Sequence, residues 1–148
     1  MFVVFDLDGT LADCTHRLHH IALPEEGSGD WPEQDWAAFH AACHADTPIF
    51  PIQAVAAAMV DQGHRVEIWT GRSDHCRPAT EQWLADHGFG GLPVRMRVAD
   101  DRTADHRLKR GWIAIHGKPD LIFEDRASVV AMWRAEGIQC CQVAPGDF

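Results

Sequence analysis

The sequence predicts an α/β protein with a doubly wound, Rossmann-like parallel sheet, helices on both faces and a small lid inserted after the first strand. Two observations carry this prediction. Short apolar runs rich in β-formers alternate with segments whose apolar residues recur at helical spacing, which is typical of βαβ units. One stretch, residues 14–48, interrupts this alternation immediately after the first strand.

Strands are predicted where compact apolar runs end in polar residues. Phe2–Phe5 is such a run and ends at Asp6, as a fully buried strand would. Arg65–Trp69 is followed by Thr70, and Leu121–Phe123 is followed by two acidic residues. Two further strands are predicted at 94–98 and 138–143.

Helices are predicted at 51–62, at 77–87, from about residue 105, and at 127–136. Pro51 suits a first helical turn, and Gly63, Gly88 and Gly137 suit the position just past a helix end. The helix that begins near Asp105 has apolar residues at positions 108, 112 and 115 on one face. These helices connect the strands as a parallel sheet requires.

The interrupting stretch, residues 14–48, is predicted to form the lid. Residues 24–30 have loop composition, whereas 33–45 have apolar residues at helical spacing. An insertion here would lie over whatever the first strand carries. Trp31, Trp36 and Phe39 either stack a nucleobase or form the lid's own small core, and the core is the favoured interpretation.

Length and charge limit the classes of function. The chain has 148 residues, 46% hydrophobic and 24% charged, which predicts one folded domain over residues 1–148 and excludes a disordered chain. Lys and Arg number 13 against 22 Asp and Glu, a formal charge of −9. This balance argues against a long nucleic-acid footprint, although it permits a small cationic patch.

Hydropathy and cysteine content predict the compartment. No apolar stretch approaches the roughly 18 residues that a membrane helix needs, so no membrane partner is expected. The N-terminus lacks the basic region and long apolar run of a signal peptide. The five cysteines do not suggest a disulfide framework, and the adjacent Cys140 and Cys141 are expected to be buried. We expect a cytoplasmic protein; the sequence carries no indication of its oligomeric state.

Polar residues that follow three predicted strands carry the candidate chemistry. Asp6 and Asp8 follow the first strand, Thr70 the second, and Glu124 and Asp125 a later one. Ligands of open parallel sheets bind beyond the carboxyl ends of the strands, so these side chains are expected to converge. Converging carboxylates repel one another unless a cation lies among them. Mg²⁺, held by Asp6, Asp8, Glu124 and Asp125, is therefore the expected cofactor.

These residues, in this order, resemble the motifs of the haloacid-dehalogenase-like phosphatase superfamily, and the resemblance covers the whole chain. Asp6–Thr10 (DLDGT) is similar to its first motif, Thr70 to its second, Lys109 to its third, and the Glu124-Asp125 pair to its acidic fourth. Four motifs in order, each in a suitable strand context, make the resemblance specific. It implies a phosphoric monoester hydrolase in which Asp6 is the nucleophile.

A closer resemblance is to the C-terminal 3′-phosphatase domain of phage polynucleotide kinase. It is carried by the Thr70-Gly71-Arg72 turn, the spacing from Asp105 to Lys109, and much of residues 124–148. It implies a phosphorylated nucleic acid end as substrate. The lid shows little resemblance, and no G-x-x-x-x-G-K-[ST] loop of the kinase half occurs in the sequence. Glu124 stands where that domain tends to carry Asp, so Asp125 is the preferred metal ligand of the pair.

The residue types also fit phosphomonoester chemistry without reference to a family. Mg²⁺ and Lys109 can neutralise the phosphate dianion, while Thr70 holds its equatorial oxygens. Asp6 then attacks in line and forms an aspartyl-phosphate. Asp8 protonates the leaving alkoxide and later deprotonates the attacking water.

Further residues near these motifs are predicted to bind substrate: Gly9, Thr10, Arg17, His19, Gly71, Arg72, Asp105 and Arg126. Gly9 lets the backbone turn closely around the phosphate, Thr10 ties that turn, and Arg72 forks onto a phosphate.

Structural roles compete with several of these assignments. Thr70 can be a helix N-cap and Lys109 a solvated helix charge. Asp105 can orient Lys109 or cap its helix, and Arg126 can be a structural partner of the acids. Cys14, His16, His19 and His20 match no strong zinc pattern, so substrate contact by Arg17 or His19 is favoured over zinc.

The expected function is a Mg²⁺-dependent phosphomonoesterase that removes a 3′-phosphate from nucleic acid ends. The alternative is a phosphatase of free nucleoside monophosphates, a nucleotidase, or of another small phosphate ester, which the charge of −9 favours. A binding module without catalysis is the third possibility, and the intact Asp6, Asp8, Lys109 and Asp125 argue against it.

Overall fold

The structure, a computed structural model, describes residues 1–21 and 34–146. Within these residues the strands are β1 (Phe2–Phe5), β2 (Ala12–Asp13), β3 (Thr47–Pro48), β4 (Arg65–Ser73), β5 (Val94–Arg97), β6 (Leu121–Arg126) and β7 (Gln139–Gly146). The α-helices are α1 (Trp36–Ala41), α2 (Phe50–Asp61), α3 (Arg77–Asp86), α4 (Asp105–His116) and α5 (Ala127–Ala135). Short 3₁₀ helices occur at Thr15–Ile21, Ala42–Ala45 and Asp74–Cys76.

The main sheet is parallel and has the strand order β5-β4-β1-β6-β7. The chain leaves β1 for β4 on one side and later returns to β6 on the other, so the direction of winding reverses at β1. Open sheets of this kind bind ligands at such a switch point, beyond the carboxyl ends of the strands. Asp6 follows β1 directly and therefore lies at this point.

Side chains of β1 alternate between two cores, one on each face of the sheet. Val3 and Phe5 pack in the core that α2 and α3 cover. Phe2 and Val4 pack in the other, together with Trp112 of α4 and residues of α5. The predicted α/β fold with helices on both faces is confirmed.

Two strands run further than the sequence predicts. β4 continues from Trp69 through Thr70–Arg72 to Ser73, and β6 continues from Phe123 to Arg126. Thr70, Arg72, Glu124 and Asp125 are all buried. The candidate residues thus lie in the last residues of strands, where the strand pairing is irregular between Trp69 and Ser73 and between Glu124 and Arg126.

The two ends of the predicted lid are held together by a short pair of strands. β2 pairs with β3 antiparallel, Asp13 opposite Thr47, so the two ends of the stretch lie side by side. We call the described residues 14–21 and 34–48 the insertion. The helix predicted over 33–45 is shorter: α1 starts after Asp35, whose carboxylate accepts a hydrogen bond from the Ala38 N–H at 2.8 Å, and residues 42–45 form a 3₁₀ helix. The loop predicted at 24–30 and Trp31 lie outside the described residues.

One burial prediction is wrong in part. Cys140 is buried, but Cys141 is exposed, because neighbouring residues of the edge strand β7 point to opposite faces. Among the residues described, no helix is both long and apolar enough to cross a bilayer.

Candidate active site

A cleft of about 1280 Å³ opens beyond the ends of β1 and β4. Asp6, Asp8 and the Thr70–Ser73 segment lie at its floor. The insertion forms one wall, through Trp36 and its neighbours, and the segment from Arg97 to Asp105 contributes to the other. The candidate residues fall into two buried clusters of charge.

The first cluster, which we call the lysine cluster, consists of Asp6, Asp105, Lys109, Glu124 and Asp125. Lys109 Nζ lies 2.7 Å from Asp6 Oδ1, 2.8 Å from Glu124 Oε2 and 3.4 Å from Asp105 Oδ2. α4 carries both Asp105 and Lys109, one turn apart on the same face of the helix; Asp105 lines the cleft, whereas Lys109 is fully buried. Lys109 is buried, and its interpretation as a solvated helix charge is wrong. Ala104 is the N-cap of α4, so Asp105 is not the cap.

The carboxylates of this cluster outnumber its cations. Burial and the neighbouring Glu124 raise the pKa of Asp6 to about 8, although Lys109 opposes the shift. Burial and Asp6 raise the pKa of Asp125 to about 6. Burial alone would lower the pKa of Lys109, but the surrounding carboxylates raise it well above its ordinary value. The cluster thus holds more negative charge than Lys109 neutralises.

Three of these carboxylates fit a divalent cation. One oxygen each of Asp6, Glu124 and Asp125 lies within 4.8 Å of the others, and all three residues are buried. Carboxylate oxygens are the ligands of hard ions such as Mg²⁺, and a cation among them would offset the burial and mutual repulsion that raise the pKa of Asp6 and Asp125. The carboxylate of Asp8, predicted as a fourth ligand, is not part of this group.

Two glycines allow the carboxylates to approach the backbone. Gly9 has φ +78°, and a Cβ there would lie 2.2 Å from Asp125 Oδ2. A Cβ on Gly71 would lie 2.5 Å from Asp105 Oδ1. The structure therefore gives both glycines a role in seating the lysine cluster, in addition to the substrate contact that the sequence predicts.

The second cluster, the arginine cluster, consists of Asp8, Arg17, Asp46 and Arg72. Asp8 Oδ1 accepts hydrogen bonds from Arg17 Nη2 at 2.6 Å and from Arg72 Nε at 2.9 Å. Asp46 accepts hydrogen bonds from the same two arginines. Its Oδ1 accepts from Arg17 Nε at 2.7 Å, and its Oδ2 accepts from Arg72 Nη2. Both guanidinium groups are fully buried.

Charge in the arginine cluster is balanced, two guanidiniums against two carboxylates. Burial would raise the pKa of Asp8, but Arg72 and Arg17 hold it below its ordinary value. Burial would likewise lower the pKa of Arg72, and Asp8 and Asp46 raise it. The cluster holds Asp8 ionised and in one orientation at the cleft.

Arg17 and Arg72 differ from their predicted geometry. Each directs its guanidinium at Asp8 and Asp46, because a buried guanidinium needs a carboxylate partner. Neither fork is turned outward as a direct phosphate ligand in this structure.

Three other sequence assignments also change. The Thr10 hydroxyl does not tie its turn: it is buried without a hydrogen-bond partner among the described residues, and backbone bonds such as Leu11 N–H to Leu7 O close the turn. His19 is exposed and does not line the cleft. Thr70 is not a helix N-cap, since Ser73 caps the helix that follows. The Thr70 Oγ1 instead accepts a hydrogen bond from the Arg72 N–H at 3.2 Å. Thr70 itself lines the cleft as predicted.

Arg126 lies at the cleft with its Nη1 3.7 Å from Asp105 Oδ2, which agrees with a structural partner of the acids. Cys14, His16, His19 and His20 do not form a zinc site. Among the described residues, no group of Cys and His side chains lies close enough together to bind one metal ion, and His16 Nε2 instead lies 2.9 Å from Asp46 Oδ1.

Sequence reasoning missed Asp46 and Arg97. Asp46 precedes β3 in the insertion, and Arg97 Nη2 contacts Asp105 Oδ1 at 3.3 Å. Neither follows a central strand, so the rule that identified the other residues does not reach them. In the sequence, Asp46 is distinguished only by its position two residues before the end of the interrupting stretch, which is a weak indication of a functional role.

Comparison with known proteins bears on the whole chain. The family model for the phosphatase domain of polynucleotide kinase PNKP, a domain of the haloacid-dehalogenase class, matches residues 1–148. This chain belongs to that family. It is therefore a phosphoric monoester hydrolase of the haloacid-dehalogenase type, as the four motifs predict.

Solved structures agree with this assignment. Chains from two structures of a Pnkp1/Rnl/Hen1 complex, one described as an RNA repair complex, align over 99% of this chain with 28% and 29% identity and TM-scores of 0.77 and 0.78. This chain spans only 43% and 47% of those longer chains. A class C acid phosphatase from Bacillus anthracis shares the fold, with TM-score 0.62 and 15% identity over 86% of this chain and 52% of its own.

Proposed function

We propose that this protein removes a 3′-phosphate from the end of a nucleic acid strand through an aspartyl-phosphate on Asp6. The observation that carries the proposal is the environment of Asp6, which lines the cleft, contacts Lys109 at 2.7 Å, and lies beside two further buried carboxylates. The family match and the similarity to chains of an RNA repair complex support the substrate class.

The reaction has two displacements. A carboxylate oxygen of Asp6 bonds to phosphorus as the bond from phosphorus to the 3′-oxygen breaks, and Asp8 gives that oxygen a proton. Water then attacks phosphorus and transfers a proton to Asp8 as the bond from phosphorus to the Asp6 oxygen breaks, so that phosphate leaves and the Asp6 carboxylate is restored. The arginines favour the ionised Asp8 that the second step needs, while the incoming phosphate dianion favours the protonated form needed first.

Positive charge near phosphorus is supplied by the lysine cluster. Lys109 Nζ contacts the nucleophile and is fully buried, so its charge acts with little screening by water. Asp6, Asp125 and Glu124 would hold Mg²⁺, which supplies charge neutralisation of the phosphate when bound. Glu124 already accepts a hydrogen bond from Lys109, so Asp125 is the better candidate of the two for a metal ligand.

Phosphate release from a 3′-phosphorylated oligonucleotide tests the proposal, with 3′- and 5′-mononucleotides as comparisons and Mg²⁺ or EDTA in parallel. We expect Mg²⁺-dependent release with preference for the oligonucleotide, and none from an Asp6→Asn variant. Release that is equal in EDTA, or that persists in Asp6→Asn, contradicts the mechanism.

A nucleotidase is the second candidate, and charge favours it. The chain carries −9, and five aspartates line the cleft (Asp6, Asp8, Asp100, Asp101 and Asp105) against four arginines (Arg72, Arg97, Arg102 and Arg126). Binding of a long polyanion depends steeply on salt because each neutralised phosphate releases counterions, whereas a mononucleotide site depends on salt much less. Preference for mononucleotides together with a shallow dependence of KM on salt would replace the proposed substrate with a free nucleotide.

A further inference from the structure

The two walls of the cleft differ in chemistry. The wall formed by the insertion presents Ile21, Gln34, Trp36, Ala37, Phe39, His40 and Ala41, and none carries a fixed charge. Burial lowers the pKa of His40 to about 4, so this residue is neutral as well. The opposite wall presents arginines and aspartates of the segment from Arg97 to Asp105, together with Arg126. One wall therefore suits a flat, uncharged group and the other a charged backbone.

Trp36 is the large aromatic surface of the uncharged wall. Its side chain is 45% exposed although it lies in the cleft, whereas Phe39, one turn later, is 3% exposed. The sequence left open whether these aromatics form the lid's core or stack on a base. The structure separates them by exposure: Phe39 also borders the cleft but is almost fully covered, whereas Trp36 keeps a ring surface open to it.

Trp36 is held in position before any ligand arrives. Its indole N–H donates to Gln34 Oε1 at 3.0 Å, and its ring packs edge-on against Phe39 with centroids 5.7 Å apart. Phe39 in turn lies under the Arg17 guanidinium, 4.0 Å from the ring centroid, and Arg17 binds Asp8. Three direct contacts thus connect the indole to Asp8. A fixed ring loses little conformational entropy when it stacks on a ligand.

We propose that Trp36 stacks on the nucleobase of the nucleotide that carries the phosphate, and that this contact gives the site its preference for nucleotides. The inference rests on the proposed function. His40 adds a polar contact: its Nδ1 is buried without a hydrogen-bond partner among the described residues and lines the same wall. Stacking on an aromatic side chain is tolerant of base identity, so all four bases are expected to be accepted.

Paired substrates test the inference. Two oligonucleotides carry the same 3′-phosphate, one on a terminal thymidine and the other on a terminal abasic tetrahydrofuran residue, and kcat/KM is measured for both. We expect the wild-type protein to prefer the thymidine end by about ten-fold or more, the scale of one base–aromatic stack. In Trp36→Ala this ratio should fall close to one, and in Trp36→Phe most of it should remain.

A matched control is Phe50→Ala, because Phe50 is 72% exposed and does not line the cleft. It should keep the wild-type ratio. Equal rates on both substrates by the wild-type protein, or an unchanged ratio in Trp36→Ala, overturn the stacking role and leave the proposed function standing. Failure of the wild-type protein to release phosphate from either oligonucleotide overturns both.

Discussion

The two buried clusters carry charge in opposite balance. In the lysine cluster Asp6, Glu124 and Asp105 all surround one Lys109, and the pKa of Asp6 rises to about 8. In the arginine cluster two guanidiniums face two carboxylates, and the pKa of Asp8 falls. The lysine cluster has more carboxylates than cations, whereas the arginine cluster has equal numbers of each.

This difference separates two roles within one site. A region with excess negative charge binds a cation and, with it, a phosphate. A balanced region of buried ion pairs resists rearrangement, because moving one member leaves another buried charge without a partner. Asp6, the proposed nucleophile, lies in the first region, and Asp8, the proposed proton-transfer residue, lies in the second.

Asn substitutions of Asp6 and Asp8 should give the largest effects and test the comparison directly. Both variants should lower turnover by about 10³-fold or more, as measured by phosphate release, because one removes the nucleophile and the other the proton donor. Their stabilities should differ. Asp6→Asn relieves repulsion and should keep or raise the urea midpoint, whereas Asp8→Asn leaves two arginines with one carboxylate and should lower it. A reversed order of midpoints contradicts the charge balance.

Asp46→Asn should have the next largest effect. It removes the carboxylate that holds both arginines from behind, so we expect a loss of about 3–5 kcal/mol in the free energy of unfolding, with reduced kcat. His16→Ala is the control: His16 contacts the same carboxylate but is well exposed, and its loss should cost less than about 1 kcal/mol. A stability for Asp46→Asn within error of wild type would show that the cluster does not act as a unit.

Gly71→Ala should act through the lysine cluster. The added Cβ would lie 2.5 Å from Asp105 Oδ1 and would displace a carboxylate that contacts Lys109, so we expect kcat to fall by about ten-fold or more. Gly111→Ala is the matched control, because Gly111 lies on α4 with open space around its Cβ position. It should leave kcat unchanged and stabilise the helix by up to about 1 kcal/mol. Equal activity of both variants would contradict the close approach.

Mg²⁺ should stabilise the folded protein without changing any residue. Binding to the folded state at about 100 times the dissociation constant contributes about 2.7 kcal/mol, so the unfolding temperature should rise with Mg²⁺ and fall back with EDTA. Asp125→Asn should remove most of this shift. Asp46→Asn should retain it, since Asp46 is not among the grouped carboxylates. A shift that survives in Asp125→Asn would place the cation elsewhere.

Residues at the ends of central strands could be predicted from the sequence. Asp6, Thr70, Glu124 and Asp125 each follow or end an apolar run, and a parallel sheet brings such positions to one edge. Lys109 was identified through its resemblance to a known motif and its spacing from Asp105, since a lysine on a helix is ordinarily solvated. The sequence predicts the ends of β4 and β6 too early, because it does not show that the polar residues there are buried.

The arginine cluster could not be predicted from the sequence. Arg17 and Asp46 are 29 positions apart, and Asp46 and Arg72 are 26 apart. Nothing in the sequence shows that these charges are buried together. Only the return of the chain at β2 and β3 brings the insertion against β4. The same holds for Trp36 and Phe39: helical spacing puts them on one side of α1 but does not tell which of the two is covered.

The sequence by itself determined the α/β fold, the family and the residues at the carboxyl edge of the sheet, because apolar periodicity and local order along the chain carry that information. Tertiary structure alone decided which charges are buried together, which arginines bind protein carboxylates, and which aromatic side chain is exposed in the cleft. The physical reason is that burial changes the energy of a charge or a ring through its neighbours in space, and those neighbours lie far apart in the chain.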